Sequence, residues 1–315
     1  MAGDVNPAAL APSGSAEALA PWDGLDIEGL LRLRQTGPSS FRSVYASPNE
    51  RGTVFGGQLL GHALMAASRV APPDRDVSAL QLMFLQSAVP ARPIDFQVTM
   101  LQDGKRFASR HVRGTQSDDS TAGRRVVLDA QITFAVPLAG PAHATPSRAG
   151  DADPQTLPRL EDQPADVADA VWRTLGYPFD SKALDLRLAD PVHGLGLSAP
   201  TASLRFWLRL RRVLPDEPAL QAAAFAYLSD WWINFTSVGI HVPQMLEEGT
   251  RLYVASLNHA IWFHQPFRAD GWLHFDVQSP RAERGRGLSV ATVHDAGGVL
   301  VATATQENLM TPGDL

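Results

Sequence analysis

One pattern occurs twice in this chain, before and after a stretch rich in Pro, Gly and Asp, and it limits the architectures open to the sequence. In the first copy Leu60, Leu64, Ala67 and Val70 recur at helical spacing over 57–71, and Pro72-Pro73 ends the run. Ile94, Phe96, Val98 and Met100 then alternate with polar residues. Asp103-Gly104 supplies a hairpin turn, and strand patterns return over 107–115 and 126–134. In the second copy Leu204, Phe206, Leu208 and Leu210 alternate with Arg205, Trp207, Arg209 and Arg211. A helix is expected from a cap at Asp216, with Pro218 in its first turn and Leu220, Ala224, Tyr227 and Trp231 as its apolar stripe. Strand patterns over 252–259, 273–279, 288–294 and 299–307 follow, the last two joined at Gly297-Gly298. The copies also keep register. Phe84-Leu85-Gln86 answers to Phe263-His264-Gln265, and Phe96 and Val98 answer to Phe275 and Val277, all at an offset of 179 positions. The simplest architecture is a duplicated α+β unit, each copy one helix wrapped by an antiparallel sheet.

Composition bounds the rest. With 315 residues, 44% of them hydrophobic, the chain can bury a sizeable core. Residues 1–22 read as a disordered tail, 23–136 as the first unit, 137–170 as a linker and 171–315 as the second unit. The absence of Cys excludes a disulfide framework, a thiolate nucleophile and a Cys-ligated zinc. A net charge of −6 argues against a nucleic-acid coat, though it leaves room for a local basic patch that meets an anionic small molecule. No apolar run reaches the ~18 residues that a spanning helix needs. The start lacks a basic leader, Gly313-Asp314-Leu315 is not a peroxisomal address, and a cytoplasmic location is the expectation.

Familiar catalytic signatures are missing. Gly287-Leu288-Ser289-Val290-Ala291 fails the nucleophile-elbow pattern and sits in a strand. Gly194-Leu195-Gly196 lacks the next glycine of a dinucleotide fingerprint. His259 and His264 are five apart on a strand-like segment, so they point to opposite faces and make poor joint metal ligands. Chemistry without metal or cofactor is left. Asp230 stands out, because it follows Phe225-Ala226-Tyr227-Leu228-Ser229 and precedes Trp231-Trp232. A carboxylate among such residues is costly unless it is paired, functional or turned to water.

Several strings, in order, resemble the acyl-CoA thioesterase II (TesB-type) family. They are Val54-Phe55-Gly56-Gly57-Gln58, Leu101-Gln102-Asp103-Gly104-Lys105-Arg106-Phe107, and Tyr227-Leu228-Ser229-Asp230. Two more are Val254-Ala255-Ser256-Leu257-Asn258-His259-Ala260-Ile261-Trp262-Phe263-His264-Gln265-Pro266-Phe267 and Val301-Ala302-Thr303-Ala304-Thr305-Gln306-Glu307. The resemblance spans about 24–312. It implies a double hot-dog fold and hydrolysis of acyl-CoA to free acid and CoA by a water held between an Asp, a Thr and a Gln. The Asp falls on Asp230, the Gln on Gln306 and the Thr on Ser256, which keeps the hydroxyl and loses a methyl. Asn258 and Ala260 also depart from the family's Asp-His-Ser string. The second unit alone carries the set, which implies one active site per chain.

Ser256 is expected on one strand face with Val254 and Asn258, and Gln306 on a face with Leu300, Ala302 and Ala304. Backbone N–H groups at Gly56-Gly57 are candidate donors to the thioester oxygen. Trp231, Trp232, Phe235, Trp262 and Phe263 could line an acyl channel. Arg281, Arg284 and Arg286, or Arg110 and Arg113, could meet CoA phosphates. The expected partners are an acyl-CoA substrate and further copies of the chain, without nucleic acid, membrane, metal or cofactor. Two other readings stay open: a hot-dog enoyl-CoA hydratase or dehydratase, for which His62 lies in the first helix, and a non-catalytic acyl-CoA-binding module.

Overall fold

The computed structural model describes residues 19–118, 123–150, 153–169 and 181–313. Most of the expected tail, and residues 170–180 around the expected start of the second unit, lie outside the described residues. After β1 (Ala20–Pro21) a short helix, Ile27–Leu31, starts at Asp26, whose side chain accepts from the Gly29 N–H. β2 (Leu33–Gly37), β3 (Ser40–Ser43) and β4 (Tyr45–Ala46) follow, β4 pairing with β1 in parallel. The first central helix spans Gly56–Ser68 and precedes β5 (Asp76–Phe84), β6 (Asp95–Asp103), β7 (Phe107–Asp118) and β8 (Gly123–Ala135). The second copy has β9 (Leu184–Arg187) and β10 (Ser203–Leu210) before the second central helix, Pro218–Ser229. β11 (Leu252–Phe263), β12 (Leu273–Glu283), β13 (Arg286–Asp295) and β14 (Leu300–Pro312) complete it.

Twelve strands form one antiparallel sheet in the order β2-β3-β6-β7-β8-β5-β11-β14-β13-β12-β10-β9. The seam between the copies is the β5–β11 pair, with Met83 opposite Asn258 and Ala79 opposite Trp262. Each copy is thus a sheet around a helix, and the fold is the double hot-dog that the resemblance implies. The 179-position offset holds for the four strands after each central helix, β5–β8 against β11–β14, and fails for the helices and for the strands before them. Two short helices, Phe235–Gly239 and Val242–Glu248, lie between the second central helix and β11, where the first copy runs directly from Ser68 to β5.

The structure replaces both expected apolar stripes. Gly57–Ala67 and Leu220–Ser229 are buried on every side, because each helix packs on the sheet and on the other helix. Gly57 and Gly61 let the helices touch. A Cβ at Gly61 would lie 3.0 Å from the Ala223 carbonyl oxygen, and one at Gly57 would collide with the Tyr227 carbonyl. The first helix stops at Ser68, short of Val70 and the prolines. The second starts after Glu217 without a side-chain cap, and the exposed Asp216 instead pairs with Arg268 at 3.4 Å.

The expected linker is partly fastened to the second copy. Arg148 donates to both carboxylate oxygens of the buried Asp276 at 2.5 and 2.8 Å, His294 Nε2 lies 2.9 Å from the Thr145 carbonyl, and Leu160 joins the core. Among the described residues no helix is long and apolar enough to cross a membrane.

Candidate active site

The second central helix ends in a buried polar knot. Asp230 is its C-cap residue and is 8% exposed. Gln306 lies on β14, which pairs with β11, and its Nε2 donates to Asp230 Oδ1 at 2.7 Å and to Ser256 Oγ at 2.6 Å. The Ser256 hydroxyl and the backbone N–H of Gly57 from the first copy also act on the Asp230 carboxylate, each favouring its charged form. The three side chains singled out in the sequence therefore meet at one point, although they stand 76 and 50 positions apart along the chain. Both N–H groups of Gln306 are used, and its Oε1 is buried without a partner.

The position of Ser256 depends on a β-bulge. Ser256 faces Asn308, whereas Asn258 faces Glu307, so Leu257 is an extra residue in β11. Ser256 thus shares the inner face with Gln306. Asn258 turns outward, where its Nδ2 donates to Glu307 Oε2 at 2.9 Å. The expectation that Ser256 and Asn258 share a face is corrected by this bulge. Asn258 and Ala260, the two other departures from the family string, lie on the face away from Gln306. On β14, Ala302 and Ala304 are fully buried beside Gln306, while Leu300 is half-buried.

Electrostatics at Asp230 are opposed. Burial pushes its carboxyl up to about 7, and the donors Gln306, Gly57 and Ser256 pull it down only in part. Its own helix presents the negative end of its dipole there, while the first central helix presents its positive end through Gly57. Packing is close, since a Cβ at Gly56 would lie 2.5 Å from Asp230 Oδ2 and 3.2 Å from the Phe84 ring. Phe55 meets Tyr227 edge-on, with ring centroids 5.2 Å apart, and lies tilted against Trp231 at 5.0 Å, so aromatic rings from both copies gather beside Asp230. Trp232, two residues on, holds a left-handed φ of 66°, an uncommon backbone for a bulky residue and one that clusters at functional sites.

The other expected residues scatter. Trp231 is at the site, whereas Trp232 packs on Phe235, Phe263 stacks on Phe267 and meets Phe225 edge-on, and Trp262 is 38% exposed on the outer face. Arg110 is buried and spends its guanidinium on the Val70, Gln102 and Ser109 carbonyls and on Asp103, so it is a structural group. Arg113 pairs with Asp129, Arg281 with Glu283 and Arg286 with Glu307. Arg284 holds a tight turn at φ 55°. Among the described residues no three His, Asp or Glu cluster as metal ligands. One neighbour escaped the sequence reading. His259, in the Asn-His-Ala string, is buried 4.0 Å from Asp230 Oδ1 and bonded through Nε2 to Ser229 Oγ at 3.0 Å. No local sequence pattern marks it, because the bulge at Leu257 is what returns residue 259 to the inner face after 256.

The chain is similar to known proteins over most of its length. Family models described as the acyl-CoA thioesterase N-terminal and C-terminal domains match residues 45–135 and 153–310. Acyl-CoA thioesterase 2 of Haemophilus influenzae is 30% identical over 295 residues, covering 89% of this chain and 95% of that protein. The crystal structure of an acyl-CoA thioesterase II, TesB2, from Mycobacterium marinum is 30% identical with a TM-score of 0.73, covering 91% of this chain and 99% of the other. A protein of unknown function with a hot dog fold from Alicyclobacillus acidocaldarius is 18% identical with a TM-score of 0.69 over 91% and 98% of the two chains, and it shows the fold alone. By these matches, over both copies and most of its length, the chain belongs to the TesB-type acyl-CoA thioesterase II family.

Proposed function

We propose that this enzyme hydrolyses acyl-CoA thioesters to free carboxylic acid and CoA by means of a water held by Asp230, Ser256 and Gln306. The observation that supports this most is the double donation of Gln306. It fixes Asp230 and Ser256 together and leaves its own Oε1 as a buried acceptor able to hold a water O–H. Water is a weak nucleophile at neutral pH, so orientation and a nearby base lower the barrier together. Asp230 takes a proton from the water, and the water oxygen bonds to the thioester carbonyl carbon. The C–S bond then breaks, and the proton on Asp230 passes to the departing CoA sulfur. A carboxyl near 7 suits that exchange, because it can both accept and return a proton at neutral pH. The start of the first central helix, at Gly56, is the candidate donor to the developing oxyanion.

The hydratase reading finds less support. His62 is buried against Phe96 and the Leu30 carbonyl, 2.8 Å from its Nε2, with no carboxylate partner among the described residues. Thiol release over a panel of acyl-CoAs of graded length, with wild type and Asp230→Asn, tests the proposal. Free CoA from wild type, lost in the variant, is the expected result. Binding with no thiol released over hours, or hydration of an enoyl-CoA, would overturn it.

A further inference from the structure

His259 is fully inside the protein, next to the proposed base, and the reaction as written gives it no task. Its surroundings determine where its proton sits. Ser229 Oγ lies 2.9 Å from the Ala226 carbonyl, which can only accept, and 3.0 Å from His259 Nε2, so a hydroxyl hydrogen given to the carbonyl leaves only lone pairs toward Nε2. In that arrangement Nε2 carries the hydrogen. Nδ1 is left as a bare lone pair, buried, with no donor, and 4.0 Å from Asp230 Oδ1. Two acceptors facing each other in a dry site repel when the carboxyl is ionised. When the carboxyl is protonated, its O–H gains an acceptor close by.

We propose that His259, as the neutral Nε2–H tautomer, is a positioning residue that raises the proton affinity of Asp230, making it a stronger base before proton transfer and stabilising it once protonated. The proposal rests on the reading of Asp230 as the base. His259 moves no proton itself, and burial holds it neutral by pushing its pKa down to about 3. The groups that face Asp230 among the described residues are His259 and Ser256 from β11, Gln306 from β14, Tyr227 and Ser229 from its own helix, and the Gly57 N–H from the first copy. Tyr227 is buried with its hydroxyl pushed far above neutrality, so none of these carries a charge at pH 7 that could replace the effect.

The test uses two variants and one measurement on the unmodified enzyme. His259→Gln keeps an amide at the position of Nε2, within reach of Ser229, and removes the atom that faces Asp230. His259→Asn places an amide near the position of Nδ1, where its N–H can donate to Asp230. The expected result is an acid limb of kcat/KM shifted to lower pH by half a unit or more in both variants, further in the Asn variant. A structural role alone would be rescued by Gln and would leave the limb in place, and that outcome overturns the proposal. Independently, ¹⁵N shifts of His259 in wild type should show Nε2 protonated and Nδ1 bare between pH 6 and 8. A protonated Nδ1 refutes the assignment even if both variants fail to fold. Asp230→Asn separates the two claims: if it stays active, the base reading fails, whereas an unmoved limb in the His259 variants with an inactive Asp230→Asn enzyme fails this inference alone.

Discussion

Gly56, at the start of the first central helix, lies so close to Asp230, at the end of the second, that a Cβ there would stand 2.5 Å from Oδ2, and the neighbouring Gly57 N–H helps hold the carboxyl down against burial. The catalytic set proposed for the second copy is therefore completed by the first. The two glycines at this contact should respond differently. In Gly56→Ala the new methyl meets Asp230 Oδ2 and the edge of Phe84, both able to shift. Such a displacement of the base should lower kcat by about 10²-fold, with the melting temperature close to wild type. In Gly57→Ala the methyl meets the rigid Tyr227 carbonyl between the two helices. Overpacking there should cost about 1–3 kcal/mol of stability, seen as a lower urea midpoint.

Ser256 and Gln306 should be separable by conservative substitutions. Ser256→Ala removes one hydrogen bond to the carboxylate and should reduce kcat/KM about tenfold, the equivalent of ~1.4 kcal/mol. Ser256→Thr keeps the hydroxyl on the bulged strand and should stay within a few-fold of wild type. Gln306→Ala removes the donor to both partners and should cost more than Ser256→Ala. Steady-state kinetics on one acyl-CoA would reveal an inverted order, which would argue against Gln306 as the bridge.

Asp230 should also weaken the fold where it works best. Its carboxyl is raised from 3.8 to about 7 by burial, so the folded protein holds a proton that the unfolded chain releases. This contribution is fully present below the unfolded value near 4, declines as pH rises, and is gone above about 7. Asp230→Asn cannot ionise and so escapes this loss. The variant should therefore gain stability relative to wild type between pH 5 and 8, by an amount on the order of a few kcal/mol at most. The buried His259, His62 and His274, all pushed down by burial, titrate in both proteins and cancel in the difference. Denaturant midpoints of the two proteins at pH 5 and pH 8 check the sign. A variant that gains nothing at pH 8 contradicts the assigned shift.

Much of the fold was legible because strand alternation is a local signal. Phe96 and Val98, and their counterparts Phe275 and Val277, face the core as their spacing indicates. β5 escaped notice, since Asp76–Phe84 is a seam strand with polar Ser78 and Gln81 among its apolar residues. The helices misled for another reason. Periodicity looks for a polar face, and a helix packed on both a sheet and a second helix has none. At the site, Asp230, Ser256 and Gln306 could be singled out from ordered motifs. The proximity of Gly57 and His259 could not, because it depends on a crossing of two helices and on one bulged residue, Leu257, neither of which marks the local pattern.

The measurement that bears most directly on the account is kcat/KM for thiol release by wild type and Asp230→Asn across pH 5 to 9. The account predicts a wild-type rate that falls about tenfold per pH unit below a limb near 7. It also predicts a variant at least about 10²-fold slower at pH 8, with that limb gone. An Asp230→Asn enzyme that keeps both its rate within tenfold and the same acid limb would contradict it.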